Sequence, residues 1–215
     1  MANSDASLRK LVAAIAAGEL AEVSKMLAED PELARARFEV TNATRQTAKE
    51  NFVAEAGKYI YRGDTALHFA AAAYDAEIIR TLIGKGAEVR ARNRLGDQPL
   101  HAAATGTPGA ERWDPEAQSS AIKALVAAGA EPNAVNKMGV SPLHKAVRTR
   151  CAEAVRTLIE SGADPAKKNK HGSDAMLLAR MNTGRGGSGS AEAKTQQHEI
   201  VRLLEERRLQ ASSQL

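Results

Sequence analysis

Gly139-Val-Ser-Pro-Leu-His144 is one copy of a phrase that also appears as Gly63-Asp-Thr-Ala-Leu-His68 and Gly96-Asp-Gln-Pro-Leu-His101. A degraded fourth copy reads Gly172-Ser-Asp-Ala-Met-Leu177. The leading glycines are spaced by 33, 43 and 33 residues. A fixed period of this size marks a repeat architecture, in which each unit buries its apolar face against the next. A second phrase keeps the same register. It is an aliphatic residue followed at +3 and +4 by two more: Val23/Met26/Leu27, Ile79/Leu82/Ile83, Ile122/Leu125/Val126, Val155/Leu158/Ile159 and Ile200/Leu203/Leu204. That spacing lays one apolar stripe along a helix. Three of these helices run into Gly86-Ala87, Gly129-Ala130 and Gly162-Ala163, and glycine just past a helix is the expected stop. Each unit therefore reads as a turn, a short Ala-rich helix, a second helix and a loop back. Pro99 and Pro142 fall at the start of the first helix, where a missing N–H costs little. Thr65 and Ser141 stand where a hydroxyl can cap it.

The pattern resembles the ankyrin repeat, with its 33-residue period and Thr-Pro-Leu-His start. The resemblance covers nearly the whole chain and implies an all-α solenoid of about five helix-turn-helix repeats. These fall at about 3–36, 63–95, 96–138, 139–171 and 172–209, within a single domain over 1–215 with a short tail at 210–215. The end units are expected to be atypical, because their outer faces meet water. The resemblance further implies that His68, His101 and His144 hydrogen-bond neighbouring turns and lie partly buried. The competing reading, metal ligation or base catalysis, is disfavoured by their identical place in successive repeats. With Thr65, Pro99, Ser141 and Pro142 they form the structural motif. The motif departs at Gln98 and, more severely, at Asp174 and Leu177, so the fourth phrase has lost its histidine network.

Departures from the period locate three insertions, at about 37–62, 105–117 and 183–195. Insertions into repeats gather on one face, often the binding face. The first holds Phe38, Phe52, Tyr59 and Tyr61, four of the six Phe and Tyr residues in the chain. Alternation over Lys58-Tyr-Ile-Tyr-Arg62 reads as an extended segment or long hairpin. Phe38 and Phe52 are expected to anchor it. Tyr59 and Tyr61 read equally well as anchors or as partner contacts. Trp113, beside Arg112, is pinned to the solenoid or offered to a ligand, with pinning favoured. The segment Thr183–Ser190 formally matches a dinucleotide fingerprint at Gly184, Gly186 and Gly189. A helix precedes it where a strand is needed. As an anion cradle at a helix start, with Arg185, it stays open beside the plainer reading of a linker.

The chain has 215 residues, 43% hydrophobic and only 3% aromatic. Such a core suits closely packed Ala-rich helices. Thirty basic residues against 26 acidic give a net charge of +4, too mild to argue for nucleic acid. Cys151 is the sole cysteine, so a reducing, cytoplasmic setting is expected. The residues Met1–Lys10 do not read as a secretory signal. No apolar run spans a membrane.

Finger-like turns are where the resemblance places partners. Here they are basic, carrying Lys58, Arg62, Arg90, Arg92, Arg94, Lys137, Lys167, Lys168 and Lys170. The expected function is a non-catalytic protein-interaction module, a monomer without cofactor or metal, that presents a basic finger and inner-helix surface to a protein partner. An acidic partner fits a stripe of one sign. The candidate contacts are Tyr59, Tyr61, Arg62, Tyr74, Arg92, Arg94, Trp113, Lys137, Arg148 and Lys170. The alternative is a regulator that binds a small anion or nucleotide through the glycine-rich loop or the aromatic insertion. No Ser-His-Asp arrangement, metal cluster or carboxylate pair stands out from the repeats, so enzymatic activity is not expected.

Overall fold

Ten α-helices pair off along the chain in a computed structural model that describes residues 2–39, 51–54, 58–111, 113–181 and 191–212. The pairs are α1 (Ala2–Ala17) with α2 (Leu20–Glu29), α3 (Ala66–Ala73) with α4 (Ala76–Gly84), and α5 (Pro99–Ala103) with α6 (Pro115–Ala127). Then come α7 (Pro142–Arg148) with α8 (Ala152–Glu160), and α9 (Ala175–Arg180) with α10 (Ala191–Ser212). Odd-numbered helices stack on one another as an inner row, and even-numbered helices as an outer row. The chain is thus an all-α solenoid.

Local chemistry sets the helix ends. Pro99 and Pro142 occupy the first helical position of α5 and α7. Asp75, Asp114 and Asp174 cap α4, α6 and α9, each accepting backbone N–H groups of the first turn. The expected loss at Asp174 is therefore partial: the histidine is gone, but the carboxylate still caps, with Leu177 N–H at 2.8 Å. Between the rows lie Ile78, Ile79 and Leu82 of α4, Ile122 and Leu125 of α6, and Val155 and Leu158 of α8, all fully buried. Each such side chain contributes about 1.5–3 kcal/mol. The inner helices meet through alanines, among them Ala66, Ala70, Ala71, Ala103, Ala104 and Ala146. Small side chains let the inner helices stack closely, and among the described residues Phe69 of α3 is the one Phe, Tyr or Trp ring buried within them.

The three motif histidines repeat one constellation. His68 Nδ1 accepts the Thr65 N–H at 3.2 Å, and its Nε2 donates to the Asp97 carbonyl at 3.1 Å. His101 does the same between Gln98 and Val140, at 3.2 and 3.0 Å. His144 does it between Ser141 and Ser173, at 3.0 and 3.2 Å. Each ring thus ties its own turn to the next repeat, and the N–H donor on Nδ1 fixes a neutral tautomer with the proton on Nε2.

Gln98 breaks the pattern at one atom. In the other two repeats a hydroxyl lies near the same nitrogen, Thr65 Oγ1 at 3.0 Å and Ser141 Oγ at 2.8 Å. Gln98 Oε1 is instead the one buried side-chain oxygen or nitrogen, among the described residues, without a hydrogen-bond partner. An orphaned buried acceptor costs about 1–3 kcal/mol. Replacing Gln98 with Thr restores the hydroxyl on backbone that is already extended, at φ −100° and ψ 166°. Gln98→Thr is expected to stabilise the protein by about 1 kcal/mol, read as a raised denaturation midpoint with unchanged slope.

The first insertion is tied down from both ends. The Phe38 N–H donates to the Asp64 carbonyl at 2.9 Å, and Gly63 N–H returns to the Phe38 carbonyl at 2.8 Å. Phe38 is fully buried, with its ring edge-on to Phe69 at 6.2 Å. Strands β1 (Phe52–Val53) and β2 (Lys58–Tyr59) pair antiparallel, Phe52 opposite Tyr59 and Val53 opposite Lys58. The expected anchor at Phe52 is replaced by its neighbour. Val53 is buried, whereas Phe52 is 42% exposed and packs against Tyr59 with the rings tilted and their centres 5.0 Å apart. Successive strand residues face opposite ways, so only one of the two can point inward. The pleat does the same on the return strand, where Ile60 is buried and Tyr59 is turned out.

Candidate partner-binding surface and groove

The finger turns form a continuous row because their backbones are hydrogen-bonded to one another. Arg94 N–H donates to the Arg62 carbonyl at 2.7 Å, Lys137 N–H to Leu95 at 3.0 Å, and Lys170 N–H to Met138 at 3.1 Å. Glycine makes this approach possible. A Cβ on Gly96 would lie 2.9 Å from the Lys137 nitrogen, and one on Gly139 equally close to the Lys170 nitrogen. Both glycines also hold φ above +70°, in the left-handed region.

The charge on this row is less open than the count of basic residues implies. Arg37 and Arg90 pair with Glu88 and Glu131. Arg92 Nη1 donates to the carbonyls of Val135 and Gly96 at 2.7 and 3.1 Å. Arg62 pairs with Glu39 at 3.4 Å. Arg37, Arg90 and Arg92 staple neighbouring turns, because these acceptors recur one repeat along, whereas the Arg62 pair stays within the first insertion. Arg94 stacks over Tyr61, 4.8 Å from the ring centre, and so joins the hairpin to the finger row. Lys137, Lys168 and Lys170 are exposed and form no ion pair with a described residue. Beside them stand Leu95 and Met138, 42% and 48% exposed. These two apolar tips were not picked out from the sequence. Their signal was there, since each directly precedes a finger glycine.

The remaining candidates divide. Tyr59 and Arg148 are exposed. Tyr74 is half-buried and donates its hydroxyl to the Thr105 carbonyl, a link between repeats. Trp113 is also half-buried, with Nε1 donating to Gln118 Oε1 at 3.2 Å; Gln118 in turn holds the Ala103 carbonyl at 2.8 Å. Arg112 and the glycine-rich segment, including Gly184, Arg185, Gly186, Gly189 and Ser190, lie outside the described residues.

Between the hairpin and the inner helices runs a groove of about 320 Å³, lined by Lys58, Tyr59, Tyr61, Asp64, Asp97 and Lys145 among others. Asp64 accepts the Tyr61 N–H and the Asn93 amide, both at 2.8 Å. Asp97 accepts the Asn136 amide at 2.9 Å and pairs with Lys145 Nζ at 2.6 Å. Burial alone would raise the Asp97 carboxyl, but Lys145 and the Asn136 amide hold it below the usual range. At Asp64 burial wins and the pKa rises. Residues of the hairpin and of two successive finger turns meet Lys145 of α7 in this groove. Neither the groove nor its two carboxylates were picked out from the sequence.

Chemistry of the catalytic kind has little to work with. Burial pushes the Cys151 thiol pKa up, and its sulfur sits 3.4 Å from Thr149 Oγ1. A thiol so placed stays protonated and is a poor nucleophile. Among the described residues, no group of three His, Cys, Asp or Glu side chains can hold a metal ion, and no helix is long and apolar enough to cross a membrane.

A family model described as ankyrin repeats (3 copies) matches residues 11–111 and 116–212. The chain belongs to the ankyrin-repeat family. Repeats of this family are generally protein–protein interaction modules, and the family is typically non-catalytic. No curated protein matches the chain in sequence.

Proposed function

We propose that this protein is a non-catalytic interaction module that meets a protein partner with its finger row and the adjoining inner face. The observation that carries the reading is the alternation of exposed apolar and cationic tips, Leu95 and Met138 beside Lys137 and Lys170, on turns locked together through their backbones. A rigid row loses little conformational entropy on binding. Apolar tips supply desolvated contact and lysines supply steering toward an acidic surface. Phe52 and Tyr59 extend the apolar strip onto the hairpin, with Tyr61 and Arg94 at the junction. Arg92 supports the row as a staple, Arg62 and Arg148 add charge beside it, and Tyr74 and Trp113 hold the face in shape. The repeats proposed above act as one domain and as a monomer. The buried free cysteine suits a reducing compartment, and we place the protein in the cytoplasm.

The test begins with a partner recovered on the intact protein and identified, whose binding is then measured in isolation. Leu95→Asp with Met138→Asp is expected to weaken binding at least tenfold, since one desolvated anchor contributes about 1–2 kcal/mol or more. Lys137→Glu with Lys170→Glu is expected to slow association and to flatten its salt dependence. Lys123→Glu, on the exposed outer helix α6, is the control. Equal effects from all three variants would remove the finger row from the interface.

A further inference from the structure

The groove between hairpin and inner helices holds two ammoniums, Lys58 and Lys145, and two carboxylates, Asp64 and Asp97, yet only Lys145 and Asp97 form an ion pair. Asp64 and Asp97 each accept two hydrogen bonds from partners within the repeats. Lys145 gives one N–H to Asp97 and keeps two more. Lys58 lines the same groove, largely enclosed, yet its ammonium makes no ion pair or hydrogen bond with any described residue. Asp64 faces the same groove and attracts this ammonium but forms no ion pair with it, so the loss of water around Lys58 is only partly offset. A second ammonium facing the same space adds repulsion. We infer that this groove is a socket for a carboxylate, supplied by an acidic side chain or a chain end of the partner, which seats between Lys58 and Lys145.

Several independent features agree with this occupant. The volume of about 320 Å³ is at the small end of ligand sites. It matches about ten waters at roughly 30 Å³ each. That is room for a side chain, with some of that water remaining. Tyr59, Tyr61, Phe69 and Ala72 wall the groove and lower its effective dielectric, which strengthens a buried charge pair. Burial first, then the charge of Lys145, pushes the Lys58 pKa down to about 8, against a smaller opposing pull from Asp64. His68 also lines the groove, but its ring is neutral and committed to the Asp97 carbonyl. A carboxylate seated here would hydrogen-bond the free donors of both lysines and cancel their repulsion. The inference rests on reading the chain as a partner-binding module, and it names the chemical anchor that such a partner brings.

The test follows the Lys58 side chain by NMR in the full-length protein, with lysines isotopically labelled and Lys58 assigned through Lys58→Met. Four probes are added at matched ionic strength: N-acetylglutamate α-amide, N-acetylglutamine α-amide, acetyl-glycyl-glycine and inorganic phosphate. Without probe, Lys58 is expected to titrate near 8. One of the two carboxylate probes is expected to raise that value by about half a unit or more, as a new opposite charge within reach does. The neutral amide is expected to leave it unchanged. A response to the glutamate probe alone names a side chain as the source, and a response to acetyl-glycyl-glycine alone names a chain end. The socket is overturned if Lys58 titrates as an ordinary exposed lysine. It is also overturned if neither carboxylate acts, or if Lys123 responds equally. A larger response to inorganic phosphate overturns the choice of anion. Failure of this titration with the Leu95 and Met138 effects intact would remove the socket and leave the interaction reading standing.

Discussion

Denaturant titrations at descending pH are expected to show the solenoid losing stability steeply below pH 6.5, with His101 alone responsible for about 3 kcal/mol of the loss. The sign follows from the tautomer. In the folded state His101 Nδ1 already accepts the Gln98 N–H, so a proton there would displace a hydrogen bond inside a fully buried site. Burial pushes the folded pKa down from 6.5 to about 4. Between those values the unfolded chain holds a proton that the folded chain refuses, so stability falls as pH falls. Two and a half units at about 1.36 kcal/mol each give the quoted loss. His68 and His144 are lowered in the same direction, also by burial first. Asp97, held below its usual range, adds to the loss at lower pH, and Asp64, raised by burial, opposes it. Domains of this kind have only about 5–15 kcal/mol in hand. Unfolding at pH 5 should therefore take up more than one proton. His101→Gln is expected to lower stability at pH 7 and to flatten the slope below pH 6.5. A stability that stays level from pH 7 to 5 would contradict the neutral, doubly bonded rings.

The second large effect is expected at Phe38. Its ring is the largest fully buried side chain of the insertion, with Phe69 beside it and the Arg9 guanidinium 5.7 Å from its centre. Truncating a buried Phe to Ala costs about 3–5 kcal/mol, since a cavity remains where the neighbours cannot collapse. Phe38→Ala should also localise its damage. Repeats contact only their neighbours, so the N-terminal units should open while those from α5 onward hold. Amide exchange reports this directly: Ile60 and Gly63, whose N–H groups bond to Asn51 and Phe38, should lose protection before the amides of α7 and α8. Phe52→Ala is the comparison, with a ring already 42% exposed, and should cost under about 1 kcal/mol. Equal losses from the two variants would show that the hairpin, and not the Phe38 contact, carries the insertion.

The two predictions differ in how far the residues announce them. The histidine triad recurs in phase with the glycines, and a residue at one place in every unit needs a role that every unit shares. Its partners were less visible. The bond from each Nε2 goes to the next turn, 29 or 39 residues away, and only stacking brings that carbonyl within reach. The partners of the arginines were hidden for a related reason. Read along the chain, Arg90 and Arg92 look like surface charge. Across the stack they face Glu131 and the Val135 carbonyl.

By itself the sequence determined the solenoid, its family, its helix starts and stops, and the places where the period is interrupted. Those are local or periodic properties, settled by residues a few positions apart or by register. Only the tertiary structure decided which cations remain open on the finger row, that Val53 and not Phe52 turns inward, and that Tyr74 and Trp113 face the solenoid. It alone brought Lys58, Asp64, Asp97 and Lys145 into one groove. The hairpin, two finger turns and α7 share that space only once the repeats are stacked, and their charges act on one another through a short distance that the order of residues does not encode.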